Sequence, residues 1–276
     1  MRARRSCVWS SFTAVGARVK AVVVLEWRFS PSGYFEEPIT ISRDHYTMTI
    51  ADGKVEAKID SSVYDGNPSI RKMLHDSLND RFLAVQLLTH RAYELSKSTL
   101  TRVHPDGRKH VLLEVETSYH AVSSDTLDIR VLDKDGNVVS DSRRDRIEKQ
   151  MSVADLVETH RASDAVLAAL LQSYGSAVRD PNNELVHLYE VREALSTRFG
   201  GEKAARAELG ITRSRWSRLG ELCNDEPLRQ GRHRGKAAVS LRDATESELG
   251  EARAIARRMI ETYLQYLKSS GQRPGA

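Results

Sequence analysis

The residues best equipped for chemistry lie between Pro227 and Lys236, where Arg229, Arg232, Arg234 and Lys236 surround His233 with no acid among them. A guanidinium stays charged at physiological pH and matches two phosphate oxygens at once, whereas an imidazole titrates near neutrality. A proton carrier beside fixed positive charge is the equipment for phosphate-directed chemistry, and Gly231 and Gly235 let the backbone approach a ligand closely. In outline this is an anion site, with His233 moving the proton and Arg229 or Arg232 steadying the charge. The plainer alternative is a solvated loop whose arginines pair with Asp225, Glu226 or helix carboxylates, at ~0 to 1 kcal/mol per pair.

Just upstream, Glu202 to Leu219 reads EKAARAELGITRSRWSRL, which resembles the helix-turn-helix motif of DNA-binding proteins. Gly210 would make the turn, Leu209 and Ile211 would pack beneath it, and Trp216 would be the buried anchor of the second helix. Arg213, Arg215 and Arg218 could then face phosphates or base edges. Arg206 stands four before the glycine, where the motif usually has a small residue, and two short helices of a bundle would be joined by the same chemistry.

Other reaction classes find no footing. There is no Gly-x-x-x-x-Gly-Lys-Ser/Thr loop, no His-Glu-x-x-His helix and no Gly-x-Ser-x-Gly turn. Two cysteines, Cys7 and Cys223, make neither a disulfide framework nor a four-ligand zinc site, and only His233 is at hand to activate Cys223. Asp133-Lys134-Asp135-Gly136-Asn137 opens like a calcium loop, but Val138-Val139 follows where oxygen ligands are required, so a hairpin turn is expected. No metal and no cofactor are expected. Ser173-Tyr174-Gly175, and Glu184 to Glu190 with His187 and Tyr189, read as groups that cap or bridge neighbours.

These residues need elements to hold them. From Val22 to about Ser142 the apolar period is two, as in Tyr46-x-Met48-x-Ile50 and Val55-x-Ala57-x-Ile59. Turn sequences at Asp52-Gly53, Pro105-Asp106-Gly107 and Asp135-Gly136-Asn137 divide the strands into three hairpins, hence an antiparallel sheet. One helix interrupts them, with Asn67-Pro68 as cap and first-turn proline and an apolar stripe from Ile70 to Leu88. After Arg143 the period becomes 3.6. Ser152-x-x-Asp155 resembles a capping box, Ser163-Asp164 starts another helix, and Asp180-Pro181 resets the chain. A helix ending at Gly200-Gly201, two short helices, an irregular loop from Asn224 to Leu241 and a closing helix to Lys268 follow. The expected fold class is α+β: an antiparallel β-rich domain with one helix over residues 22–142, then an all-α bundle over 143–268 and a frayed tail over 269–276.

The chain has 276 residues, 40% hydrophobic and 29% charged, which suits a globular protein of one or two domains. The longest apolar run, Ala21 to Leu25, is far short of the roughly 20 residues needed to span a bilayer, so no membrane role and a cytoplasmic setting are expected. The net charge of +4 carries little weight, because Arg2, Arg4, Arg5, Arg18 and Lys20 precede any acid. Residues 1–20 read as a disordered tail or a start assigned too early rather than a secretory signal, since Ser10, Ser11 and Thr13 interrupt the apolar region.

Paired long helices, a short middle, a polar Arg-His loop and a closing amphipathic helix, over Ala162 to Lys268, resemble the HEPN superfamily of RNA-associated domains. The resemblance implies RNA as partner ahead of DNA, a homodimer, and metal-independent cleavage by an arginine, a neighbouring polar residue and a histidine. Arg229-Gln230 and His233 would fill those roles, with Arg213, Arg215, Arg218, Arg234 and Lys236 holding nucleic acid. Three residues separate Arg229 from His233 where the family has four to six. RNA supplies its own 2′-hydroxyl nucleophile, so such a site needs only a proton acceptor and a charge. The alternatives are a helix-turn-helix DNA binder without catalysis and a protein-interaction module with a structural loop. The partner of the β-rich half is not legible.

Overall fold

Alternation along the first strand decides which face becomes core. In β1 (Val22–Ser30), Val23, Leu25, Trp27 and Phe29 are buried, and across β4 (Lys54–Asp60) they meet Ile59, Ala57 and Val55 in register. Period-two burial of this kind fixes register, because a one-residue slip would turn the whole apolar set outward. β4 pairs with β3 (Tyr46–Ala51) and β3 with β2 (Ile39–Arg43). The β3–β4 turn has Asp52 and Gly53 at φ +49° and +77°, the tight hairpin its residues require. On the other side β1 pairs with β6 (Thr99–Val103), which pairs with β7 (Lys109–Leu112), while the two-residue β5 (Glu94–Leu95) joins the end of β1. Among the described residues the antiparallel sheet has seven strands, ordered β2-β3-β4-β1-β6-β7 with β5 beside β1.

This computed structural model describes residues 21–104, 106, 108–112, 128–232 and 240–271. The expected tail over residues 1–20, Pro105 and Gly107 of the second hairpin, and the chain beyond Gly271 lie outside the described residues.

Two helices, not one, accompany the sheet. α1 (Ser61–Gly66) is a six-residue turn of helix capped by Asp60, which accepts from the Ser62 N–H at 2.8 Å. α2 (Ile70–Thr89) starts two residues later than Asn67-Pro68 suggests, because Asn67 uses its Oδ1 to cap the turn before the helix, accepting from the Ser69 N–H. Ile70, Leu74, Leu78, Phe82 and Val85 pack on the sheet, and Ala84 and Leu87 belong to a second core built by the later helices. α2 is thus shared by both cores.

The third hairpin forms but does not extend the sheet. β8 (Arg130–Leu132) and β9 (Val138–Asp141) pair only with each other, closed by Asp133, whose Oδ1 accepts from the Asp135 and Asn137 N–H groups at 2.9 Å. The residues that open like a calcium loop therefore make the hairpin turn expected of them, and no cluster of metal-ligating side chains occurs among the described residues.

α3 (Ser142–His160) begins at the Asp141 cap, eleven residues before the expected capping box. Asp141 accepts from the N–H groups of Arg143 and Arg144, so the helix is already under way at Ser152, and Ser152-x-x-Asp155 lies in its interior. α4 (Ala165–Arg179) starts at Asp164, which accepts from the Leu167 N–H at 2.7 Å. A 3₁₀ turn, Pro181–Asn183, leads into α5 (Glu184–Arg198). α6 (Glu202–Leu209), α7 (Arg213–Gly220), a π turn at Glu221–Asp225 and α8 (Glu246–Gly271) complete the layer. α8 continues through the residues expected to fray at 269–271. The chain is α+β, an antiparallel sheet followed by helices, and no helix among the described residues is long and apolar enough to cross a membrane.

Candidate nucleic-acid interface

Gly210 ends α6 at φ +61°, a left-handed conformation that a side chain resists. The Ile211 N–H then reaches back to the Arg206 carbonyl at 2.9 Å, while Gly210 donates to Ala207, the double closure of a glycine-terminated helix. Thr212 opens α7 by accepting from the Arg215 N–H at 3.3 Å. Three residues, Gly210 to Thr212, therefore join two eight-residue helices, the connection expected of a helix-turn-helix. Ala205, Leu209, Ile211, Trp216 and Leu219 are buried beneath it. The unit departs from the simple motif in its packing, since α6 and α7 lean on α5 and α8 more than on each other.

Trp216 is fully buried, and the Arg192 guanidinium of α5 lies across its ring, 5.6 Å from the centroid. The same guanidinium donates to Tyr189 Oη at 3.1 Å and pairs with Glu202 at 3.4 Å. It can lie there because position 220 is glycine: a Cβ would stand 2.8 Å from Arg192 Nη1. Arg192 thus ties α5, α6 and α7 together, and it accounts for Arg206 in the motif, which turns aside to pair with Glu202 at 3.2 Å.

With the anchor buried, Thr212, Arg213, Ser214 and Arg215 are all exposed on the first turn of α7. Arg213 and Arg215 make no ion pair among the described residues. The arginines around them do: Arg218 chelates Glu251 at 3.0–3.2 Å and reaches Glu221 at 3.3 Å, and Arg242 holds Glu248. Those carboxylates raise the Arg218 pKa further, and Arg242 with the Thr245 N–H pulls the Glu248 carboxyl down to about 2. Of the three arginines expected on the recognition helix, two are free and Arg218 is committed. Between α7 and α8 runs a groove of about 480 Å³, lined by Ser214, Arg215, Arg218, Glu251, Ile255 and Arg258.

The basic loop is tied down where it can be followed. Arg229 is exposed; its N–H donates to the Arg242 carbonyl at 2.9 Å and its Nε to Leu241 at 3.5 Å. Arg232 donates from its backbone to Cys223, pairs with Glu193 at 2.7 Å, and stacks 4.5 Å from the centroid of Tyr189. Its charge is answered by Glu193, and these contacts anchor the loop on α5. His233, Arg234 and Lys236 lie outside the described residues. Burial pushes the Cys223 thiol up to about 12, which leaves it protonated and a poor nucleophile at neutral pH.

One buried constellation centres on Glu184, which the sequence marks only as part of a polar cluster that caps or bridges neighbours. Glu184, 2% exposed, binds Arg253 of α8 through Nε at 2.6 Å and Nη2 at 2.9 Å, and lies 3.4 Å from His90 Nε2 at the end of α2. An acid in the first turn of a helix is ordinary at the surface, and only the tertiary fold turns this one inward.

Comparison with protein-family models, with curated proteins and with solved structures found no match.

Proposed function

We propose that this protein binds duplex DNA through the α6–α7 unit, with Arg213 and Arg215 as the contacts to base edges or phosphates. The observation that carries the reading is their exposure, without an ion pair among the described residues, on the first turn of a helix anchored by a fully buried tryptophan. Backbone N–H groups at that turn favour anions, and an α-helix fits the major groove of B-form DNA but not the deep, narrow one of A-form RNA. RNA cleavage through Arg229, Arg232 and His233 is the weaker reading, because Arg232 is held by Glu193 and Tyr189.

Fluorescence anisotropy with a labelled duplex, an RNA hairpin as competitor and a series of salt concentrations tests this. The Arg213→Ala/Arg215→Ala variant should bind the duplex more weakly, and its salt slope should flatten by about 1.8, at roughly 0.9 for each phosphate that it no longer neutralises. Unchanged duplex binding in that variant overturns the proposal. So does RNA binding that depends on Arg229 alone.

A further inference from the structure

Far from α7, on the outer side of the sheet layer, the start of α2 and the chain between β5 and β6 enclose a groove of about 390 Å³. Its walls are Pro68, Arg71, Lys72, His75, Lys97 and Ser98: three cations, an imidazole and a hydroxyl. Arg71 fixes the two walls to each other, its Nε donating to Ser98 Oγ at 2.7 Å and its Nη2 to the Ser98 carbonyl. Those two bonds leave Nη1 without a partner among the described residues, and they leave the Ser98 hydroxyl hydrogen available to donate. Beside the groove the Asp76 carboxylate is taken by Lys72.

His75 is set by a group from the core. The indole N–H of Trp27, a residue with no exposed surface, donates to His75 Nδ1 at 3.1 Å. Nδ1 is therefore the acceptor, and the imidazole proton must sit on Nε2. Partial burial, with Lys72 and Arg71 nearby, holds the imidazole pKa below its ordinary value, which keeps this tautomer neutral. Nε2 has no protein partner among the described residues. The groove thus presents a guanidinium N–H, an imidazole N–H and a hydroxyl, all donors, on walls braced from the core, with the Lys72 ammonium beside them paired to Asp76.

We infer that this groove binds the phosphoryl group of a small phosphate monoester. Phosphate oxygens accept from all three of these donors, and a planar guanidinium suits them as it suits carboxylates. The groove lies within the roughly 300 to 1,000 Å³ of small-molecule sites, which leaves room beside the phosphoryl group for an organic moiety against Pro68. The inference is independent of the DNA reading, since no residue is shared between the two surfaces.

The Trp27 indole N–H is a built-in reporter, because any ligand on His75 Nε2 polarises the imidazole that it donates to. Nitrogen-15 spectra of the full chain would be recorded while titrating inorganic phosphate, a nucleoside monophosphate, a sugar phosphate and, at matched ionic strength, sodium chloride. A saturable shift of the Trp27 signal with inorganic phosphate supports the inference. Saturation only with one of the monoesters also supports it and identifies the moiety that is read. Arg71→Gln should weaken the response about tenfold or more, the worth of one charge-assisted hydrogen bond. No saturable shift with any phosphate, or an equal shift with chloride, overturns it, and both of these outcomes are read on the unmutated protein.

Discussion

Replacing Glu184 by glutamine probes the joint on which the helical layer and α2 meet. The wild-type carboxylate, 2% exposed, accepts two hydrogen bonds from Arg253 and faces His90, so it links α5 to α8 and to the end of α2. Glutamine keeps the shape, but removes the charge and turns an N–H₂ group toward a guanidinium. Breaking a buried ion pair from one side costs about 3 to 5 kcal/mol. The lower figure applies here, because Arg253 is 24% exposed and retains Glu246. For a chain of this size about 3 kcal/mol corresponds to a Tm lower by roughly 6 to 12 °C. Urea unfolding followed by far-ultraviolet circular dichroism measures it, with a lowered midpoint at unchanged slope as the expected signature. The double variant Glu184→Leu/Arg253→Met should recover most of the loss, since an apolar pair leaves no charge uncompensated. A single variant within about 1 kcal/mol of wild type, the worth of a surface pair, would refute the reasoning.

Acid should weaken the fold before its carboxylates titrate. Burial depresses the pKa of His75 and of His90, so near pH 6.5 the unfolded chain binds more protons than the native one, and stability rises with pH in that window. Urea midpoints should therefore fall between about pH 7 and 5.5, less steeply in His90→Gln; a flat profile or an opposite slope would contradict the assignment. In the α7–α8 groove, Glu251→Gln should release Arg218 at little cost in stability, about 1 kcal/mol or less. Duplex binding should then tighten and its salt slope steepen by about 0.9, whereas weaker binding would show that Glu251 itself supports the interface.

Local chemistry was legible from the residues wherever one short segment decides the outcome. Asp52-Gly53 made its hairpin, Asp164 capped α4, and Leu-Gly-Ile-Thr closed one short helix and opened the next as its residue types require. Choices between competing local signals were not legible. Ser152 reads as a helix start in the sequence, but Asp141 supplies the cap because its carboxylate meets the N–H groups of Arg143 and Arg144, leaving Ser152 inside a helix already formed. The third hairpin has the turn chemistry of the others, but turn residues specify pairing within a hairpin and say nothing about which sheet receives it.

The same distinction governs the candidate site. Arg213, Arg215, Arg218, Arg229 and Arg232 are alike in sequence, each a cation in a basic stretch, and what separates them is the position of carboxylates distant along the chain. Glu251 lies 33 residues from Arg218 and Glu193 lies 39 from Arg232, and both reach their arginines only because α8 and α5 run beside them. An arginine answered by a carboxylate presents little net field to a polyanion, and to bind one it must first lose that partner. Among the described residues Arg213 and Arg215 have no such partner to lose, which is why the proposed duplex contact rests on them rather than on Arg218 or Arg232.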